Sequence, residues 1–192
     1  VTTFVLATHN AHKVEELSRI LGERLGPHDL VAYDGPDAIE DADTFEGNAL
    51  IKARVAFAHT GLPALADDSG IAVDALGGEP GIRSARYAGS RDDGDNLRLL
   101  LANLEGMTDR TARFVCAAAL VDADGEVVVR GEWPGTVLEA PAGEGGFGYD
   151  PIFRPDGEQR SAAELTPAEK DAASHRFRAF TGLVDEVRRR HG

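Results

Sequence analysis

The chain has 192 residues, is 42% hydrophobic and carries a formal net charge of −13. That length buries a sizeable core and fits one domain over residues 1–192. The charge argues against binding polymeric nucleic acid, because such binding rests on neutralising phosphates. In chain order, Phe4–Ala7 reads as a buried strand that ends at Thr8. Asn10 is placed to cap a following helix whose apolar stripe is Val14, Leu17, Ile20 and Leu21. A strand, a polar loop and a helix in that order seat an anion on a helix N-terminus. Residues 30–33 predict a second strand. Thr44 predicts a cap for a helix running to about Ala58, on which Asn48 and Lys52, four apart, share a face. Pro63–Ala66 predicts a short strand leading into an acidic turn, Asp67-Asp68-Ser69-Gly70, with a further strand over 71–75.

Leu97, Leu100, Leu101 and Leu104 predict a helix. Residues 113–121 and 126–132, joined by Asp122-Ala123-Asp124-Gly125, predict a β-hairpin, and Val137-Leu138 a further strand. The stretch 143–151 is too rich in glycine for regular structure. Thr166-Pro167-Ala168-Glu169 is a capping box with proline at the first helical position, and Ser174 is placed to cap a last helix through Arg188. Strands and helices mixed in this way predict an α/β or α+β fold with a partly antiparallel sheet. The single cysteine, Cys116, lies in an apolar run and reads as a small core residue in a reducing compartment. No segment approaches membrane-spanning length and the first residues lack a basic lead-in, so a soluble, cytoplasmic protein with no membrane partner is expected.

Of the twenty Lys and Arg residues only three are lysines: Lys13, Lys52 and Lys170. A compact ammonium kept against such an arginine bias suits a phosphate site. With Glu40 or Asp41, one acid of the Asp67-Asp68 pair has the chemistry to hold Mg²⁺ beside phosphate oxygens, its neighbour serving as general base. The other reading of that tetrapeptide is an Asx-type turn whose acids cap backbone N–H groups. Phe147 and Tyr149, presented in the glycine-rich loop, suit a base-stacking platform, or else Phe147 plugs the core beneath the loop. Asp150 can accept from a ring N–H. The chain has no P-loop, no dinucleotide fingerprint, no zinc-ligand spacing and no serine nucleophile elbow.

Taken in register, Thr8-x-Asn10-x-x-Lys13, Glu40 with Thr44-Phe45-x-x-Asn48-Ala49-x-x-Lys52-Ala53, Ala66–Gly70, Pro80-Gly81-x-x-Ser84-Ala85-Arg86, Gly146–Pro151, Lys170 and Ser174-His175-Arg176 closely resemble the inosine triphosphate pyrophosphatase family. The resemblance runs from residue 4 to about residue 180. It implies a two-lobed α/β fold around a long mixed sheet, an active-site cleft between lobes, and a homodimer. It implies Mg²⁺-dependent hydrolysis of ITP, dITP, XTP and dXTP to the monophosphate and pyrophosphate, which removes deaminated purines from the nucleotide pool. By position, Thr8, His9, Asn10, Ala11, His12 and Lys13, with Asn48 and Lys52, would hold the triphosphate. Asp68 would accept the proton of the attacking water and bind the metal, Glu40 would assist the metal, and Ser69 would touch substrate. Phe147, Gly148, Tyr149, Asp150, Lys170, His175 and Arg176 would form the base pocket. His9 and His12 stand where the family often has glycine. They would narrow the loop's conformations or add a donor to phosphate.

Overall fold

The computed structural model describes residues 1–192. Six strands form one mixed sheet in the order β2-β1-β3-β4-β5-β6. They are β1 (Thr3–Leu6), β2 (Asp29–Ala32), β3 (Ala64–Val73), β4 (Thr111–Asp122), β5 (Gly125–Val137) and β6 (Phe153–Pro155). The helices are α1 (Ala11–Leu21), α2 (Phe45–Thr60), α3 (Asp93–Asn103), α4 (Pro167–Asp171) and α5 (His175–His191). β1 runs parallel to both neighbours, with Phe4 opposite Leu30 and Val5 opposite Ala64. β6 is antiparallel to β5, with Val137 opposite Phe153. The fold is therefore α/β, with parallel pairing at one edge and antiparallel at the other.

The chain forms two compact units. The first comprises Val1–Asp68, Cys116–Gly131 and His175–Gly192, and the second Ser69–Val115 and Glu132–Ser174. β3, β4 and β5 each continue from one unit into the other. In the first unit, Phe4 and Leu6 pack with the α1 stripe Leu17, Ile20 and Leu21, with Cys116, Ala118 and Leu120 of β4, and with Phe180, Leu183 and Val187 of α5. In the second, Leu97 and Leu100 of α3 and Leu104 at its C-cap join Ile71, Val73 and an aromatic group in which Phe153 lies 4.4 Å from Phe114 and 5.7 Å from Trp133 between ring centroids. β4 is buried without interruption from Phe114 to Asp122, as a strand covered on both faces must be. No helix is long and apolar enough to cross a membrane.

The helix caps follow the sequence. Asn10 Oδ1 accepts from the N–H groups of His12 and Lys13, Thr44 Oγ1 from that of Gly47, and Thr166 and Glu169 form the full capping box. Three expectations are corrected. Asp67-Asp68-Ser69-Gly70 is not a turn but the middle of β3, a single ten-residue strand. Gly70 is there for close packing: a Cβ on it would lie 2.4 Å from both the Gly81 carbonyl oxygen and Ser84 Oγ. Ser84 Oγ accepts from the next strand amide, Ile71 N–H, at 2.9 Å. Val137 does not open a separate strand but ends β5, which runs through Pro134, whose carbonyl accepts from Asp156 N–H at 3.0 Å. The three-residue β6 is too short to leave a periodic pattern. α5 also runs past Arg188 to His191, and Arg190 and His191 both pair with the buried Asp122 of β4.

Candidate active site

Alternation along β3 sends Asp67 and Asp68 to opposite faces, and each meets its own cations. Asp67 is fully buried. It accepts from Lys13 Nζ at 3.0 and 3.2 Å and from Arg176 Nε at 3.4 Å. Arg176, near the start of α5, also donates to the buried Glu16 at 3.3 Å. Burial opposes the Asp67 charge, but Lys13, Arg176 and Lys52 together outweigh it and hold the carboxyl well below the usual carboxylate range. Burial draws the Lys13 ammonium down, and Asp67 opposes the shift. In the loop before α1, Thr8 Oγ1 accepts from Asn10 N–H, so two of the helix's first amides and this one are satisfied locally. Ala11 and His12 are exposed at the helix start. His9 stacks on Tyr33 at 5.4 Å, with its Nδ1 2.6 Å from Asp37 Oδ1.

Asp68 faces Lys52 of α2, with Oδ1 3.6 Å from Nζ, and Glu40 Oε2 lies 3.4 Å from the same ammonium. Asp68 Oδ2 is buried and has no hydrogen-bond partner in the protein. Burial raises the Asp68 pKa; Lys52 and Lys13 oppose that rise, while Glu40 and Asp67 add to it. The Lys52 pKa is raised as well. Burial lowers it, but Asp67, Asp68 and Glu40 more than offset that, so it is held as a cation. Asn48, one turn before Lys52, is buried, and its Oδ1 accepts from Ala42 N–H, which braces the segment that carries Glu40. An unpartnered, buried carboxylate oxygen suits a divalent cation. No three acidic, imidazole or thiol groups converge as metal ligands.

In the second unit, Lys170 of α4 is buried and donates to Asp150 Oδ2 at 2.7 Å. The same oxygen accepts from Phe147 N–H at 3.0 Å, and the Lys170 ammonium lies 4.8 Å from the Phe147 ring centroid. Phe147 is half-buried and stands outside the apolar core cluster, so it does not plug the core. Tyr149 does the opposite. Its ring is buried in that cluster and its hydroxyl donates to the Ser84 carbonyl at 2.6 Å. Gly148 N–H donates to Asp93 at 2.9 Å, and Ser69 is half-buried on β3. His175, the first residue of α5, is buried in the first unit.

Sequence reasoning did not foresee Asp67 as an anchor for cations, and it gave no role to Glu16 or Asp37. Glu16 left one signal: it lies within the apolar stripe of α1, three residues after Lys13 and one before Leu17, where a carboxylate is buried only with a partner. Asp37 left none, since an aspartate in a Gly-Pro-Asp loop is ordinary turn chemistry.

The sequence and the fold both have relatives. A model of the Ham1 family matches residues 4–186. The chain is 54% identical to a dITP/XTP pyrophosphatase of Leifsonia xyli over 188 residues, covering 96% of this chain and 94% of that one. It is also 54% identical to one of Streptomyces coelicolor, covering 98% of both. Among solved structures, a HAM1 protein from Coxiella burnetii superposes with a TM-score of 0.89 at 40% identity, covering 98% of this chain and all of that one. A nucleoside-triphosphatase, dITP/XTP pyrophosphatase, from Mycobacterium abscessus gives 0.75 at 49% identity, covering 95% and 97%. A match over nearly the whole length, in sequence and in fold, makes this chain a member of the Ham1, ITPase-like family.

Proposed function

We propose that this protein hydrolyses deaminated purine nucleoside triphosphates, ITP, dITP, XTP and dXTP, to the monophosphate and pyrophosphate, with Mg²⁺. The observation that carries the reading is Asp68: a buried carboxylate with one oxygen unpartnered, beside an ammonium and a second acid. Relatives of nearly equal length that bear the name dITP/XTP pyrophosphatase support it. Asp68 accepts the proton of a water that attacks the phosphorus next to the ribose. Its environment, which favours the protonated form, gives it the driving force to take that proton. Lys52 and Lys13 oppose the negative charge that grows on the phosphate oxygens and on departing pyrophosphate. Asp68 and Glu40 would hold Mg²⁺, which would supply further positive charge against the triphosphate.

In the same reading Phe147 offers a ring face to the base, and Lys170 and Asp150 offer a donor and an acceptor. A 6-oxo purine with a protonated N1 satisfies such a pair, whereas a 6-amino purine leaves buried polar groups unpaired, a penalty of about 10⁴-fold in favourable cases. Thr8, His9, Asn10, Ala11, His12, Asn48, Ser69, Gly148, Tyr149, His175 and Arg176 complete the proposed set, His9, Asn48 and Tyr149 acting by holding neighbouring segments. The test is pyrophosphate release from ITP, XTP, dITP, GTP and ATP, with and without Mg²⁺. Metal-dependent release from ITP and XTP with ATP nearly inert is the expected result. Equal turnover of ATP would overturn the base reading, and no release from any nucleotide would overturn the reaction. The proposal includes a cytoplasmic homodimer, which sedimentation equilibrium tests directly.

A further inference from the structure

Between β2 and α2, residues 33–44 form neither helix nor strand, yet they carry Glu40. The segment is fastened at its far end by Asn48 Oδ1 on Ala42 N–H, and at Glu40 itself by Lys52. Its near end is fastened by the loop before α1. Tyr33 is buried and donates through its hydroxyl to the Pro36 carbonyl at 3.0 Å, which folds the chain back over its own ring. His9 stacks on that ring at 5.4 Å and 25°, and places Nδ1 2.6 Å from Asp37 Oδ1. The His59 ring also packs against Tyr33, 5.9 Å between centroids and nearly perpendicular to it. An imidazole whose Nδ1 is committed to Asp37 and whose face lies on Tyr33 has two of its three modes of interaction spent inside the protein.

We infer that His9 and Asp37 are positioning residues. Together they clasp the Glu40-bearing segment to the Thr8–Lys13 loop, and His9 serves this link rather than acting as a phosphate donor. The inference rests on the proposed reading of Glu40 as a metal-assisting acid. The Asp37 side chain is 90% exposed, so replacing it leaves the core untouched. The Nδ1–H of an imidazole can donate to the Asp37 carboxylate, so the clasp needs only that tautomer.

The experiment compares Asp37→Ala, Asp37→Asn and His9→Phe with the unaltered protein, first by amide hydrogen exchange over residues 34–43 without added metal. Asp37→Ala and His9→Phe each raise exchange there about two- to fivefold, the range an exposed charged pair shifts an opening equilibrium. Asp37→Asn, which keeps an acceptor, restores most of the protection, and the double variant Asp37→Ala/His9→Phe is no worse than either single one. Unchanged exchange in Asp37→Ala overturns the inference. The second measurement is ITP turnover as a function of Mg²⁺. Asp37→Ala raises the half-saturating Mg²⁺ by a similar factor and leaves KM for ITP at saturating metal unchanged. A rise in KM for ITP in His9→Phe alone, with Asp37→Ala like the unaltered protein, would instead make His9 a phosphate ligand and overturn the clasp. Should the unaltered protein turn over no nucleotide, the reaction assignment fails while the exchange measurement still decides the clasp.

Discussion

Asp67 and Asp68 are adjacent in β3, and their carboxyls are driven in opposite directions. Asp67 is held ionised by Lys13, Arg176 and Lys52 despite its burial, while burial, Glu40 and Asp67 push Asp68 towards the protonated form. One residue anchors cations, and in the proposed reaction the other takes a proton. The pleat separates the two tasks with no intervening chain.

The two should therefore respond oppositely to neutralisation. Asp68→Asn removes a charge the fold disfavours, so Tm in the absence of metal rises while kcat for ITP falls about 10²- to 10⁴-fold. Asp67→Asn leaves Lys13, Arg176 and Glu16 with one anion fewer in a buried network and costs about 3–5 kcal/mol. A folded-state pKa below the unfolded value means that Asp67 contributes its stabilisation fully above about pH 3.9 and loses it as pH falls further. Acid unfolding monitored by circular dichroism should accordingly be less steep in Asp67→Asn. A drop in Tm for Asp68→Asn would contradict this assignment of strain.

Lys170 and Asp150 form a buried pair with side chains 6% and 3% exposed. Lys170→Met leaves Asp150 charged and half-partnered and should cost about 3–5 kcal/mol in urea unfolding. The double variant Lys170→Met/Asp150→Asn should recover part of that, because the carboxamide oxygen that replaces the carboxylate still accepts from Phe147 N–H. Additive losses would mean the pair is not coupled.

Gly131 brings β5 against the first turn of α5. A Cβ there would lie 2.5 Å from both the Ala179 nitrogen and the His175 carbonyl oxygen. Backbone atoms cannot step aside as a side-chain tip can, so Gly131→Ala should destabilise by about 1–3 kcal/mol and displace the turn that carries His175 and Arg176. Denaturant midpoints read the first effect, and chemical shifts of those two residues the second.

Cys116 is wholly buried in the first unit's core, and burial drives its thiol far above the ordinary range, with Asp67 adding to the effect. It should not react with a disulfide reagent at about pH 8 in the native protein and should react with one equivalent after unfolding. Stoichiometric labelling of the native form would show that the core opens.

The caps at Asn10, Thr44 and Thr166, the leucine stripe of α3 and the β4–β5 hairpin were all legible, because each is a local device whose residues lie within a few positions of one another. The acidic strand was not. Asp-Asp-Ser-Gly has turn composition, and the reason it is a strand is that Gly70 meets Gly81 and Ser84, eleven and fourteen residues on. Tyr149 and Phe147 look alike in a glycine-rich loop, yet one is core and the other is not. What separates them is the Tyr149 hydroxyl bond to Ser84, 65 residues earlier in the chain. The three lysines stand out in the sequence by their rarity, but their partners Asp67, Glu40 and Asp150 are long-range facts in every case.

The scarcity of lysine has a practical side. The side chains of Lys13, Lys52 and Lys170 are 14%, 15% and 6% exposed, and every other basic side chain apart from histidine is a guanidinium. The rest of the molecular surface thus offers amine-directed acylating reagents no side-chain target. Whatever side-chain amine such a reagent does reach belongs to the candidate site, so protection of these three groups on adding a nucleotide reports occupancy once labelling of the Val1 α-amine is set apart.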